Sequence, residues 1–206
     1  KHLRTVPMDK PVAVLLRHSV RGDLPTGNAG NAVPITDEGR RLAWALGDML
    51  RGRMRRIHTS PVLRCVQTAE ALSAGAETNL SILHDRMLGD PGVYVLNGQL
   101  AWANWERLGH EGVVLHLVGS SEVLPGMACP DKAARHLVNH MLAAADEPGL
   151  HVFVTHDALV MPTAARMLGK TLAKSDWPLF LEAAFFWKSD AGVHIAYRDD
   201  ERLRAG

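Results

Sequence analysis

Two apolar runs, each ending abruptly in a histidine beside charge, predict an α/β fold with three layers and a mostly parallel sheet. Val12-Ala13-Val14-Leu15-Leu16 passes directly into Arg17-His18-Ser19-Val20-Arg21, and Leu150-His151-Val152-Phe153-Val154 into Thr155-His156-Asp157. Continuous apolar runs rich in β-branched residues are strands covered on both faces. Between them, apolar residues recur at helical spacing and supply the covering layers. Open α/β sheets bind ligands just beyond the carboxyl ends of their strands, so both polar clusters fall where chemistry is expected.

In chain order, residues 1–10 are polar with Pro7 and read as a lead-in to a first strand over Pro11–Leu16. Gly22 to Asn31 is rich in turn formers and reads as a surface loop beside that strand's end. Thr36 is a candidate helix cap, with Asp37 and Glu38 in the first turn where anions suit the dipole. Leu42, Leu46, Met49 and Leu50 then mark the buried stripe of a helix reaching about Arg51. A short strand over Arg55–His58 leads to Thr59-Ser60-Pro61, a helix start with Ser60 as cap and Pro61 at the first helical position. Val62, Val66, Ala69 and Leu72 form the stripe of that helix. Arg64 lies in its first turn, where a cation opposes the dipole unless an anion is present.

A third strand is expected over Asn79–Leu83. Residues 85–109 read as an insertion over the site: an irregular loop from Asp85 to Gln99, then a short helix carrying Trp102, Trp105 and Leu108. Val113–Val118 fits either strand or helix. Ala134, Leu137, Val138, Met141 and Leu142 mark a helix ending near Pro148-Gly149, and a further helix runs from Ala158 to Leu168, closed by Gly169. Ala183–Trp187 and Val193–Tyr197 read as a terminal hairpin.

At 206 residues, 47% hydrophobic and 22% charged, the chain fits a single globular domain over 1–206, with no internal repeat. A formal net charge of +1 carries no nucleic-acid or membrane signal, and the local run Arg51, Arg53, Arg55 and Arg56 reads as the solvated end of a helix. No stretch is long and apolar enough to span a bilayer. Two cysteines, Cys65 and Cys129, make no disulfide framework, and Cys65 reads as a small core residue. A cytoplasmic location is the expectation. The chain starts at Lys1 rather than Met, so a trimmed leader or start stays open.

Arginine presents planar, permanently charged forks that match phosphate oxygens. His18, held between Arg17 and Arg21, would meet a phosphate with a neutral nitrogen, because positive surroundings disfavour imidazolium. The same residues also fit a strand end that merely meets solvent. Among the other histidines, His116, His136, His140, His151 and His194 lie in apolar or helical patterns and read as packed or surface residues. His136 and His140 are four apart on one helix, which suits a metal, but no third ligand is evident.

Leu16-Arg17-His18, Thr36-Asp37-Glu38-Gly39-Arg40, Ser60-Pro61-Val62-Leu63-Arg64-Cys65-Val66-Gln67-Thr68-Ala69-Glu70 and Thr155-His156-Asp157 together resemble the histidine phosphatase superfamily. This is the fold of phosphoglycerate mutases and histidine acid phosphatases, and the resemblance runs from about residue 12 to 197. It implies that His18 is a nucleophile forming phosphohistidine, that Arg17, Arg21, Arg64 and His156 bind the phosphoryl oxygens, and that neither metal nor cofactor is needed. An acid must protonate the leaving alcohol. The acid-phosphatase branch implies Asp157 for this role; the mutase-type branch implies a carboxylate on the loop after the third strand, here Asp90 or Asp85. For Asp157 the plainer reading is a cap on the following helix. The expected partner is a small phosphorylated molecule, with no nucleic acid and no membrane, and oligomeric state open. The expected activity is phosphomonoester hydrolysis, with a phosphomutase or a non-catalytic phospho-ligand module as rivals.

Overall fold

The computed structural model describes residues 2–25 and 27–205. Lys1 of the expected lead-in, Thr26 of the expected loop and Gly206 lie outside the described residues. In chain order the elements are β1 (Pro11–Arg17), α1 (Asp37–Met49), β2 (Met54–Thr59), α2 (Leu63–Gly75), β3 (Ile82–His84), α3 (Gly98–Gly119), α4 (Pro130–Ala144), β4 (Gly149–Thr155), α5 (Asp157–Leu168), β5 (Ala183–Ser189), β6 (Gly192–Tyr197) and β7 (Asp200–Arg204). The strands form one sheet in the order β3-β2-β4-β1-β5-β6-β7. From β3 to β1 the pairing is parallel; β5, β6 and β7 extend it antiparallel. The sheet is therefore mixed, parallel through the half that carries the site.

The apolar runs of β1 and β4 are explained by cover on both faces. Ala13, Leu15 and Phe153 point into a core shared with α3, α4 and α5, while Val12, Val14, Leu16, Leu150, Val152 and Val154 point into a second core with α2. Side chains alternate across a strand, so two buried faces demand an unbroken hydrophobic run. Val6 joins the second core, which makes the lead-in part of the packing.

Helix α1 begins as expected, with the Thr36 hydroxyl accepting from the Gly39 N–H at 3.0 Å. Its buried face differs from the expected stripe. Leu50 is buried and Leu46 partly so, but Leu42 and Met49 are exposed, and Gly39, Ala43 and Gly47 line the inner face in their place. The reason is a close crossing of α1 on α2. A methyl group on Gly47 would run into the Leu72 carbonyl, and one on Gly75 into the Trp44 carbonyl. Backbone-to-backbone contact needs glycine on the inner face and turns the larger side chains outward.

Helix α2 starts at Leu63, two residues later than the Ser60-Pro61 signal predicts, with Val62 at its cap and no side-chain cap. The Ser60 hydroxyl faces His156 at 3.2 Å and accepts the Val62 N–H at 3.3 Å, so it is engaged ahead of the helix. Of the expected α2 stripe, Ala69 and Leu72 are buried and Val66 only partly so. The third strand shortens to Ile82–His84. Val113–Val118 resolves as helix. It is the second segment of α3, which Gly109, with φ 69°, breaks from the first segment carrying Trp102 and Trp105. Strand β7 was not expected. Its sequence, Asp200 to Arg204, is mostly charged, which suits an edge strand and hides it from hydrophobic patterning.

The arginine run is paired rather than free. Arg51 bonds Asp48 and Glu77, and Arg56 bonds Asp146 at 3.0 Å. Among the described residues no helix is long and apolar enough to cross a membrane.

Candidate active site

His18 follows β1 directly, and its backbone N–H donates to the Thr155 carbonyl at 2.8 Å, which locks the ends of β1 and β4 together. The ring is 2% exposed. Its Nδ1 lies 2.8 Å from the Ser19 carbonyl and its Nε2 3.2 Å from the Arg64 Nε–H. A carbonyl can only accept and a guanidinium only donate. Nδ1 therefore carries the proton, and Nε2 presents a lone pair. Burial, with Arg64 and Arg17 adding to it, pulls the His18 pKa down to about 3. At neutral pH this is an uncharged imidazole with a fixed tautomer.

Arg64, in the first turn of α2, spans the two histidines. It donates to His18, to His156 Nδ1 at 3.2 Å and to the Gly30 carbonyl at 2.8 Å. It is buried, and no carboxylate forms an ion pair with it among the described residues. The rings of His18 and His156 stand edge to face at 5.5 Å. His156 passes its other nitrogen to Ser60, and burial followed by Arg64 and His18 holds its pKa well below the ordinary histidine value. Ser19 fastens the loop after β1, its N–H donating to Thr68 and its hydroxyl to the Gly39 carbonyl.

Arg17 is tied from several sides. It pairs with Asp157 at 2.8 Å, donates to the Pro178 carbonyl at 2.5 Å and lies 4.1 Å over the Phe180 ring. The Nε atoms of Arg17 and Arg21 are buried without a hydrogen-bond partner. Buried unpaired donors on cations are costly, and an anionic ligand removes that cost. Gly89 closes the far side, where a Cβ would collide with Ser60 and His156. His18, Arg21, Arg64, His156 and Asp157 thus converge on one cavity of about 450 Å³, with Arg17 directly behind Asp157.

The sequence profile of the histidine phosphatase superfamily, branch 1, matches residues 14–182. The chain belongs to this superfamily. Among curated proteins the sequence has no match. Solved structures share the fold. A phosphoglycerate mutase from Bacillus anthracis superposes with a TM-score of 0.58 at 14% identity, covering 97% of this chain and 94% of that one. A putative phosphohistidine phosphatase, SixA, from Agrobacterium tumefaciens gives 0.52 at 14%, covering 95% and 99%. A mycobacterial glucosyl-3-phosphoglycerate phosphatase gives 0.56 at 19%, covering 86% and 90%. The phosphoglycerate mutase-like α/β architecture is thereby established for this histidine phosphatase superfamily member.

The structure separates the three candidate acids. Asp157 lies in the cavity wall at the start of α5, but its carboxylate accepts from four donors: Arg17, His110, the Trp177 indole and the Ala158 N–H. Burial alone would raise its pKa; the His110 hydrogen bond and Arg17, with Trp177, outweigh this and hold it well below the usual carboxylate range. Four donors thus favour the ionised form of Asp157, which keeps its expected place in the cavity wall. Asp85 is also displaced. It caps the turn at Met87 and bonds His140 at 2.6 Å, and it does not line the cavity. Asp90 does line the cavity, half exposed and 3.9 Å from Arg86.

His110 was missed by sequence reasoning. It follows the α3 break at Gly109, lines the cavity and places Nε2 3.0 Å from Asp157. Trp177 and Phe180, which brace Asp157 and Arg17, were missed as well. Cys65 is buried as expected; burial pushes its thiol pKa up to about 12. His140 is spent on Asp85, and no group of three or more His, Cys, Asp or Glu among the described residues could hold a metal ion.

Arg64 offers a direct test of the site. Arg64→Ala is expected to lose about 2–4 kcal/mol of transition-state stabilisation and to weaken vanadate binding. Arg56→Ala, whose side chain pairs with Asp146 at the other end of β2, should change neither. Indistinguishable kinetics for the two variants would remove Arg64 from the site.

Proposed function

We propose that this protein is a phosphomonoesterase that works through a phosphohistidine on His18, with the buried arginines supplying the positive field. The observation that carries this reading is the state of His18: uncharged, its tautomer fixed by the Ser19 carbonyl, and its Nε2 lone pair held among Arg64, Arg17 and His156. An incoming phosphate would take over the Arg64 Nε–H and satisfy the unpartnered Nε donor of Arg21, with Arg17 adding its charge from behind Asp157. Nε2 then attacks phosphorus in line with the leaving oxygen. The charge spread over the equatorial oxygens falls on preorganised guanidinium groups. Water attacks the phosphohistidine in the second half of the cycle and returns neutral His18.

The leaving alcohol needs a proton, and we assign it to His110 acting as imidazolium. Its Nε2–H stays on Asp157, and Nδ1–H passes its proton to the leaving oxygen as the 3.4 Å Trp105 contact to Nδ1 gives way. The water that hydrolyses the phosphohistidine returns a proton to Nδ1. Asp157 stays ionised and anchors both Arg17 and His110, while His110 faces the cavity. A hydrolase is favoured over a mutase because Arg21 and Arg64, both at the phosphate end, are the only Lys or Arg among the described cavity residues. A mutase must hold a second phosphate as firmly as the first, and among the described cavity residues no second cationic cluster would do so.

Nitrogen-resolved NMR of His18 tests the reading without substrate. With a pKa near 3, the ring should keep the Nδ1–H neutral tautomer and show no titration from pH 8 down to 5. The lowered value means that protonation, and with it loss of the nucleophile, reaches its midpoint only near pH 3. A midpoint near the ordinary 6.5 would remove the preformed nucleophile. Rapid acid-free quenching with an aryl phosphate should trap alkali-stable, acid-labile phosphate on the protein.

A further inference from the structure

We infer that the outer cavity is a binding site for the apolar body of the substrate, so that the ester cleaved is the phosphate of an apolar alcohol. This inference rests on the phosphomonoesterase reading and adds the class of leaving group. The wall beyond the phosphate end is made by Leu24 and Pro25 of the loop after β1, by Tyr94 and Val95 ahead of α3, and by Trp102 and Trp105 of α3. The polar tips of the three aromatic residues are already used. The Trp102 indole N–H donates to Glu106 at 3.0 Å, that of Trp105 to His110 at 3.4 Å, and the Tyr94 hydroxyl bonds Thr163 at 2.9 Å. What these side chains offer a ligand is ring surface, not hydrogen bonds.

Charge points the same way. Among the described residues lining the cavity, the only arginines are Arg21 and Arg64, and the one carboxylate farther out, Asp90, stands 3.9 Å from Arg86, which is outside the lining. A leaving group with a carboxylate or a second phosphate would find no Lys or Arg among the described lining residues of that wall and would compete with Asp90 for Arg86. A polyol would find the amides of Asn28 and Asn31 against a mostly apolar wall. The volume of about 450 Å³ lies in the range of sites that enclose drug-sized, mainly apolar ligands. An aliphatic or aromatic alcohol fills such a wall and gains by leaving water.

Calorimetric titration of the intact protein with n-alkylphosphonates, from ethyl to octyl, tests this because phosphonates bind without turning over. Kd is expected to fall about fourfold per added methylene while the chain stays in the cavity. A three-carbon phosphonate ending in a carboxylate should bind more weakly than propylphosphonate. Trp102→Ala and Trp105→Ala should flatten the chain-length slope, and Trp105→Phe should keep it. A flat series in the unsubstituted protein, or tighter binding of the carboxylate, overturns the apolar site. Turnover of p-nitrophenyl phosphate that depends on His18 is read separately. Its absence overturns the phosphatase reading, whereas a flat phosphonate series beside intact turnover overturns only the apolar site.

Discussion

His18→Ala is expected to lower turnover of any phosphomonoester by about 10⁴-fold or more, the scale seen when a covalent nucleophile is deleted from a site whose other parts remain. The loss should appear in kcat, and the phosphoprotein trapped on quenching should vanish with it. The melting temperature must be followed alongside, because the ring is 2% exposed, packs against His156 and Phe180, and its removal leaves the Arg64 Nε–H without its acceptor. The strand-to-strand bond from residue 18 to Thr155 is made by the backbone and survives the substitution. Removing the imidazole also frees Arg64, so vanadate binding should persist. A folded His18→Ala protein with near-normal turnover would end the phosphohistidine mechanism, whatever else lines the cavity.

Much of this site was readable from local pattern, and the reason is topological. β1 and β4 are neighbours with both faces covered, so β1 is an unbroken apolar run, β4 is one but for the buried His151 bonded to the Glu147 carbonyl, and the switch to Arg17-His18 or His156-Asp157 is abrupt. Arg64 was readable because a cation in the first turn of a helix conflicts with the dipole. The inner face of α1 was not readable. Its helix crossing is set by Gly47 and Gly75, which leave Leu42 and Met49 outside, and hydrophobic periodicity assumes that large side chains point inward. Strand β7 carries mostly charge and pairs only with β6, so it has no apolar alternation to detect. The protonation of Asp157 was out of reach for another reason. It is decided by Arg17, His110 and Trp177, which come from three separate parts of the chain, and only the fold brings them together.

The proton donor gives the second large effect, and the contrast between leaving groups isolates it. An alkyl phosphate needs its leaving oxygen protonated, whereas p-nitrophenolate departs without help, so general-acid loss should touch only the first. His110→Gln is expected to reduce kcat/KM for an alkyl phosphate by about 10²–10⁴-fold, the usual contribution of a positioned acid, with a far smaller change for p-nitrophenyl phosphate. Asp157→Asn should show the same contrast on top of a loss common to both substrates, because it also strips Arg17 of its partner. Breaking a buried pair from one side costs about 3–5 kcal/mol, so its melting temperature must be followed alongside. His110→Gln is the cleaner variant, since the Arg17–Asp157 pair at 2.8 Å stays intact. Asp90→Asn should affect the two substrate classes alike, as its carboxylate stands half exposed at the cavity wall and bonds no group of the His18 cluster. A leaving-group-dependent loss in Asp90→Asn, with His110→Gln close to normal, would move the acid to the loop after β3 and leave Asp157 as the anchor of Arg17 alone.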